Sequence, residues 1–205
     1  MKKYELTDDS ITFDGRKLFR IRAIRSFNDV AVGDLGGYIE KEENLSHDDD
    51  AWIYNDARVF NDARIFDDAR ICGKACVCGD ARIYDAARIS GAARISGDAH
   101  IYGDAHICDK ACVCGDARIC DNAWIFGDAR ISGDADYLYL KGLGSENRNT
   151  TFFKCEDGHI HVSCGCFSGN LAEFETKVKK THGDSKYAKE YLACIEVVKI
   201  HFEEE

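Results

Sequence analysis

The stretch Ala93-Arg94-Ile95-Ser96-Gly97-Asp98-Ala99-His100-Ile101-Tyr102-Gly103-Asp104-Ala105-His106-Ile107 restates itself every six residues. The period runs outward in both directions. From Ala51 to Ala135 an alanine recurs at each sixth position without a miss. Two places after it, from Ile53 to Ile131, stands an Ile or Val, fourteen of them in phase. A helix turns every 3.6 residues and would smear these side chains around its circumference. Six is a multiple of two, so in an extended chain all of them point to one side. Ala-x-Ile therefore reads as a short strand, in-out-in, which suits β-branched residues. The Gly, Asn or Asp two places after the aliphatic residue suits a corner with positive φ. One hexad cannot bury its apolar pair alone, so neighbours must stack.

The aliphatic residue followed four places later by a small one, from Ile53/Ala57 to Ile131/Ala135, resembles the unit of the left-handed parallel β-helices of the hexapeptide-repeat superfamily. The resemblance implies a mainly β fold, a β-solenoid in which three hexads close one triangular coil. Residues 51–136 would then make about five coils, each rising about 4.8 Å. The residue after the aliphatic departs from the family habit, being Tyr, Phe, Cys or Ser instead of small or acidic. The stretch Phe27-Asn28-Asp29-Val30, Gly36-Gly37-Tyr38, Asn44-Leu45-Ser46 and Trp52-Ile53-Tyr54 is similar to the first coil of uncharacterised YdcK-like bacterial proteins. The tail segments Cys164-Gly165-Cys166-Phe167 and Thr181-His182-Gly183-Asp184 resemble hypothetical phage and prophage proteins. From these likenesses comes the expectation of a phage-encoded inhibitor or decoy acting on a bacterial defence system.

An open solenoid needs caps. Residues 1–50 supply one, with Ile11 to Ile21 reading as a hairpin about Asp14-Gly15, followed by an irregular first coil. Residues 137–205 read as a small α+β module. Its hairpin turns at Asp157-Gly158, Asn170 with Glu173 caps a helix that stops near Gly183, and a second helix runs from about Ser185 to Phe202. This module is also the expected contact of a homo-oligomer.

Net charge is −10 and no segment is a basic tail, which argues against non-specific nucleic-acid binding. No run is long and apolar enough for a signal peptide or a membrane span, so the expected compartment is cytoplasmic. The eleven cysteines are then expected as free thiols or metal ligands.

Stacking by one coil sorts the outward residues into columns on three faces. The first carries Arg64, Arg82, His100 and Arg118 beside Phe66, Tyr84 and Tyr102, and is the candidate binding site. Guanidinium groups interleaved with flat rings are what a nucleotide-like ligand needs. The competing account is a set of solvated Asp–Arg ladders, because most arginines lie two places after an Asp, as in Asp80-Ala81-Arg82. The second face carries Trp52, Arg70, Arg88, His106 and Trp124; the third carries Arg58, Cys76, Arg94, Cys112 and Arg130.

Cys155, His159, His161, Cys164 and Cys166 invite a zinc reading. A two-residue turn at Asp157-Gly158 would set Cys155 opposite Ile160 and send both histidines away from the cysteines, so no metal site and no cofactor is expected. Hexapeptide acyltransferases, which this fold resembles, use a His general base near a coenzyme A site, often beside a loop thrown out from the coil. His100 and His106 are the histidines of the solenoid, and no loop interrupts residues 51–136. The expectation is a non-catalytic binding or scaffold protein for a host protein or nucleotide-like ligand. An acyltransferase using acyl-coenzyme A and a self-assembling structural protein are the alternatives.

Overall fold

A computed structural model describes residues 1–203 of the chain; the last two residues of the 137–205 module lie outside it. Residues 51–136 form a parallel β-solenoid of about five coils. Each hexad contributes a two-residue strand, and the strands stack into three sheets. Trp52–Ile53, Arg70–Ile71, Arg88–Ile89, His106–Ile107 and Trp124–Ile125 make one sheet. Arg64–Ile65, Arg82–Ile83, His100–Ile101 and Arg118–Ile119 make another. Partners are eighteen residues apart throughout, as in Arg88↔His106 and Ile89↔Ile107.

The in-out pattern is the expected one. The alanines from Ala51 to Ala129 and the aliphatics from Ile53 to Ile131 are at most 1% exposed and form one continuous core. Backbone amides pair with the next coil, as in Arg64 N to Ala81 O at 2.9 Å and Phe66 N to Ile83 O at 3.1 Å. The corners take positive φ where Gly, Asn or Asp was expected to supply it, for instance Asn61 at 59° and Gly97 at 71°.

The amino-terminal cap is an antiparallel hairpin, β1 (Tyr4–Phe13) and β2 (Arg16–Ala23), extended by β3 (Leu35–Ile39). Asp14 and Gly15 have φ of 51° and 73°, the paired positive values of a two-residue hairpin turn. β3 pairs in parallel with Arg58–Val59, so the cap continues the third sheet of the solenoid. Lys3, fully buried, donates from Nζ to Asp49 O at 2.5 Å and Ala51 O at 2.8 Å. Asn44 ties the same region to the stack through Asn61 O and Ala63 O.

The tail is a four-stranded antiparallel sheet, in order Tyr137–Leu143, Arg148–Lys154, Ile160–Cys164 and Phe167–Asn170, backed by α1 (Leu171–His182) and α2 (Lys186–Phe202). Asn170 and Glu173 form the expected capping box, and Gly183 ends α1 at φ 52°. Ser185 caps α2, which buries Tyr191, Ile195 and Val198. One register differs from expectation. Phe153 pairs with His161 and Lys154 with Ile160, one residue off the two-residue turn. Of Asp157 and Gly158 only the glycine has positive φ, 85°, and Gly158 N donates to Cys155 O at 3.0 Å. The loop is therefore a three-residue turn closed by a left-handed glycine. A slip of one residue moves every side chain to the other face. Phe153, Cys155, His159 and His161 consequently share the face toward the solenoid, while Phe152, Val162 and Cys164 pack under the helices.

Candidate functional site

The first face presents Arg64, Arg82, His100 and Arg118 in one column, as the period requires. Its rings are stacked on one another. Phe66 and Tyr84 lie 4.9 Å apart at 5°, and Tyr84 and Tyr102 lie 5.2 Å apart at 3°. Tyr84, the middle ring, has a neighbour on both faces, so no ligand ring can slot between the three without breaking a pair. The cavity on this face, about 330 Å³, sits at its amino-terminal end among Glu43, Ser46, Arg64, Phe66 and Arg82.

The Asp–Arg ladders do not form. Among the described residues the guanidinium groups of Arg64, Arg82, Arg88, Arg94 and Arg118 have no carboxylate within 4.0 Å. The reason is local: each Asp stands in the turn before the strand, whereas the Arg stands on it. Strand register sets Arg64 beside Arg82, and an anion between the two cations would relieve their repulsion.

The second face holds a groove of about 480 Å³. Strand register supplies Arg70, Arg88, His106 and Trp124 as its floor. Tyr54, Cys72, Ser90 and Cys108, each following an inward aliphatic residue, form the row beside it. The amino-terminal end is walled by Asp29, which accepts a hydrogen bond from the Tyr54 hydroxyl at 2.9 Å and sits 3.4 Å from Arg70. Trp124, 46% exposed, marks the other end, where its backbone amide donates to Thr151 Oγ1 of the tail at 3.1 Å.

Electrostatically the groove has one compensated and one free cation. Arg70 is paired with Asp29; Arg88 is not paired among the described residues. Burial, then the neighbouring Arg88, lowers the pKa of His106, so its imidazole is neutral near pH 7. Burial and the bond to Asp29 push the Tyr54 phenol up to about 12. Burial raises Cys72 and Cys108, which remain thiols. Trp52, expected in this column as an outward residue, is instead 1% exposed, covered by Tyr4 and Phe27 of the cap. The period located Arg70, Arg88, His106 and Trp124. Tyr54 also stands in phase, one place after Ile53, whereas Asp29 escaped the period because it belongs to the aperiodic cap.

On the third face Cys76, Cys78, Arg94 and Cys112 line a cavity of about 450 Å³ beside Phe13 and Phe60. A hydrogen bond from Cys76, partly opposed by burial, pulls Cys78 toward its thiolate form. All eleven cysteines are free.

A protein of Escherichia coli (strain K12) named "Uncharacterized acetyltransferase YdcK" is similar to this chain, 40% identical over 63 residues. The match covers 27% of this chain and 19% of that protein, so the chain spans under a fifth of that relative's length. No protein-family profile matches. Among the described residues no helix is long and apolar enough to cross a membrane.

Proposed function

Because the chain folds as a hexapeptide-repeat β-helix, we propose that it holds a flat, anionic, nucleotide-like ligand along the groove of its second face. The observation that carries this reading is the placement of unpaired Arg88 between Arg70 and His106, with Tyr54 and Trp124 toward opposite ends. Those two rings stand four coils apart, about 19 Å at the spacing of stacked strands. A ligand with a flat group at one end and phosphates along its length matches that layout. Titration calorimetry with adenosine triphosphate and with coenzyme A tests it. Arg88→Ala should weaken binding at least about tenfold, the loss of one charge-assisted hydrogen bond. Arg118→Ala on the first face should leave it unchanged. The opposite pattern would move the ligand to the first face, around Arg64, Arg82, His100 and Arg118.

A second reading is favoured by the acetyltransferase name that the Escherichia coli relative carries and by the neutral His106. Here the ligand is an acyl-coenzyme A, and the groove transfers its acyl group. His106 takes the proton of an acceptor hydroxyl or amine, which attacks the thioester carbonyl. The carbon–sulfur bond breaks, and the leaving thiolate recovers the proton from the imidazolium. Thiol release from acetyl-coenzyme A with candidate acceptors measures it. His106→Ala should abolish release while His100→Ala leaves it intact; no release with any acceptor leaves binding alone. The phage-inhibitor role expected from the tail draws no support from any groove residue.

A further inference from the structure

We propose that Cys155, His159 and His161 form a binding site for a zinc-class divalent cation, which fastens the tail hairpin whose loop docks on the last coil of the solenoid. The shifted hairpin register brings the three together. One ligand atom from each lies within 4.8 Å of the other two. A triangle of that size has its centre about 2.8 Å from each corner, against about 2.0–2.3 Å for zinc–nitrogen and zinc–sulfur bonds. A four-coordinate ion sits above the plane of its three protein ligands, so each ligand atom must move inward by somewhat under about 1 Å. One thiolate and two imidazoles suit a borderline-soft ion such as zinc better than calcium or magnesium.

The surroundings are built as a ligand set requires. One ring nitrogen of each histidine already has a polar partner, Asp157 for His159 Nδ1 and Ser168 Oγ, at 3.0 Å, for His161 Nε2. Such partners fix ring orientation around bound metals. The His161 ring is further held by stacking on Phe153 at 5.2 Å and edge contact with Phe126 at 5.1 Å. Asp128 lies against the Cys155 thiol, and its carboxylate with that of Asp157 gives the pocket a negative field. Coordination releases the thiol proton to solvent, and water fills the fourth position.

The location gives the ion its role. Cys155 pairs through an isolated bridge with Ala129, and Glu156 N donates to Asp128 O at 3.1 Å. Both contacts join the tail to the solenoid where the hairpin loop touches it. The site uses no groove residue and stands whether or not the groove binds nucleotides.

Titrating the metal-free full chain with cobalt(II), a spectroscopic substitute for zinc, tests the site. The wild type should take up one equivalent with a thiolate-to-cobalt absorption in the near ultraviolet, and zinc should displace it. Eleven cysteines make a bare signal ambiguous, so variants decide. His159→Gln, at a partly exposed position that should not disturb folding, should weaken uptake at least tenfold; Cys155→Ser should remove the thiolate band. Cys166→Ser, in the same module outside the cluster, should bind as the wild type does. Zinc should also raise the unfolding temperature of the wild type and not of His159→Gln. Absence of the band in the wild type, or equal uptake by His159→Gln, would overturn the proposal.

Discussion

Ile95 and Arg94 are adjacent in sequence and opposite in environment: one is fully buried in mid-stack and the other exposed. Ile95→Asp places an unpaired carboxylate among alanines and aliphatics and should cost several kcal/mol, enough to unfold the central coils. Arg94→Glu should change stability by no more than about 0.5 kcal/mol. Denaturant unfolding of both measures the difference, and equal tolerance would contradict the in-out pattern. Gly97 is constrained for a second reason besides its φ of 71°. A Cβ there would lie 2.7 Å from Gly115 O and 2.8 Å from Gly115 N, both backbone atoms of the next coil. Gly97→Ala should therefore cost about 1–3 kcal/mol by the same measurement. At this scale the sequence was informative about burial, because burial follows the period. It misled about charge pairing, because Asp-x-Arg spacing means an ion pair only when both residues share a strand.

The two Asp-Gly hairpins show where reading elements from sequence runs out. Asp14-Gly15 and Asp157-Gly158 are the same dipeptide between alternating strands, yet only the first turns with both residues at positive φ. Loop length at the second is decided by its docking on Asp128 and Ala129, contacts far off in sequence. That single register change assembles the Cys155 cluster, which no count of local spacings could have placed. The cap element carries a pH dependence of its own. Burial lowers the pKa of Lys3 from 10.5 to about 8. Below pH 8 folded and unfolded chains both hold the proton, and the fold carries the full desolvation penalty. Between pH 8 and 10.5 only the unfolded chain holds it, so this residue makes stability rise with pH, by up to about 3 kcal/mol. Lys3→Met removes the term. The difference in unfolding free energy, wild type minus variant, should climb between pH 8 and 10; a flat difference would show that the amine is solvated.

For the molecule as a whole, both ends of the stack are covered. β1 to β3 close the first coil, and the tail closes the last through the Ala129–Cys155 bridge and the packing of Phe126 on Phe153. Coil-on-coil growth into filaments therefore finds no bare coil end among the described residues, and the edge that is left is the antiparallel strand β1. Light scattering of the full chain should stay constant with concentration, whereas a chain ending at residue 136 should scatter increasingly as its last coil finds partners. A filament from the full chain would mean that a cap detaches. Association of other kinds would have to use side surfaces, such as α2, where Val197 and Ile200 are 53% and 70% exposed.

The corner side chains give the stack one more property. Asp67 reaches Asp85 N, Asp85 reaches Gly103 N and Asp109 reaches Gly127 N, at 3.3, 3.0 and 3.2 Å, each spanning eighteen residues. Each of these corners is thus bolted to the storey above by the same fitting, while the glycine corners Gly91, Gly97 and Gly103 rely on backbone contacts alone. Eighteen residues can be spliced in or out, as 73–90 could, and the flanking storeys meet in phase, lengthening or shortening the groove by about 4.8 Å. A splice of six there instead swings everything downstream through one corner of the triangle, and Arg88, His106 and Trp124 leave the column of Arg70. The chain is a ruler that can be recut at its graduations and nowhere between them.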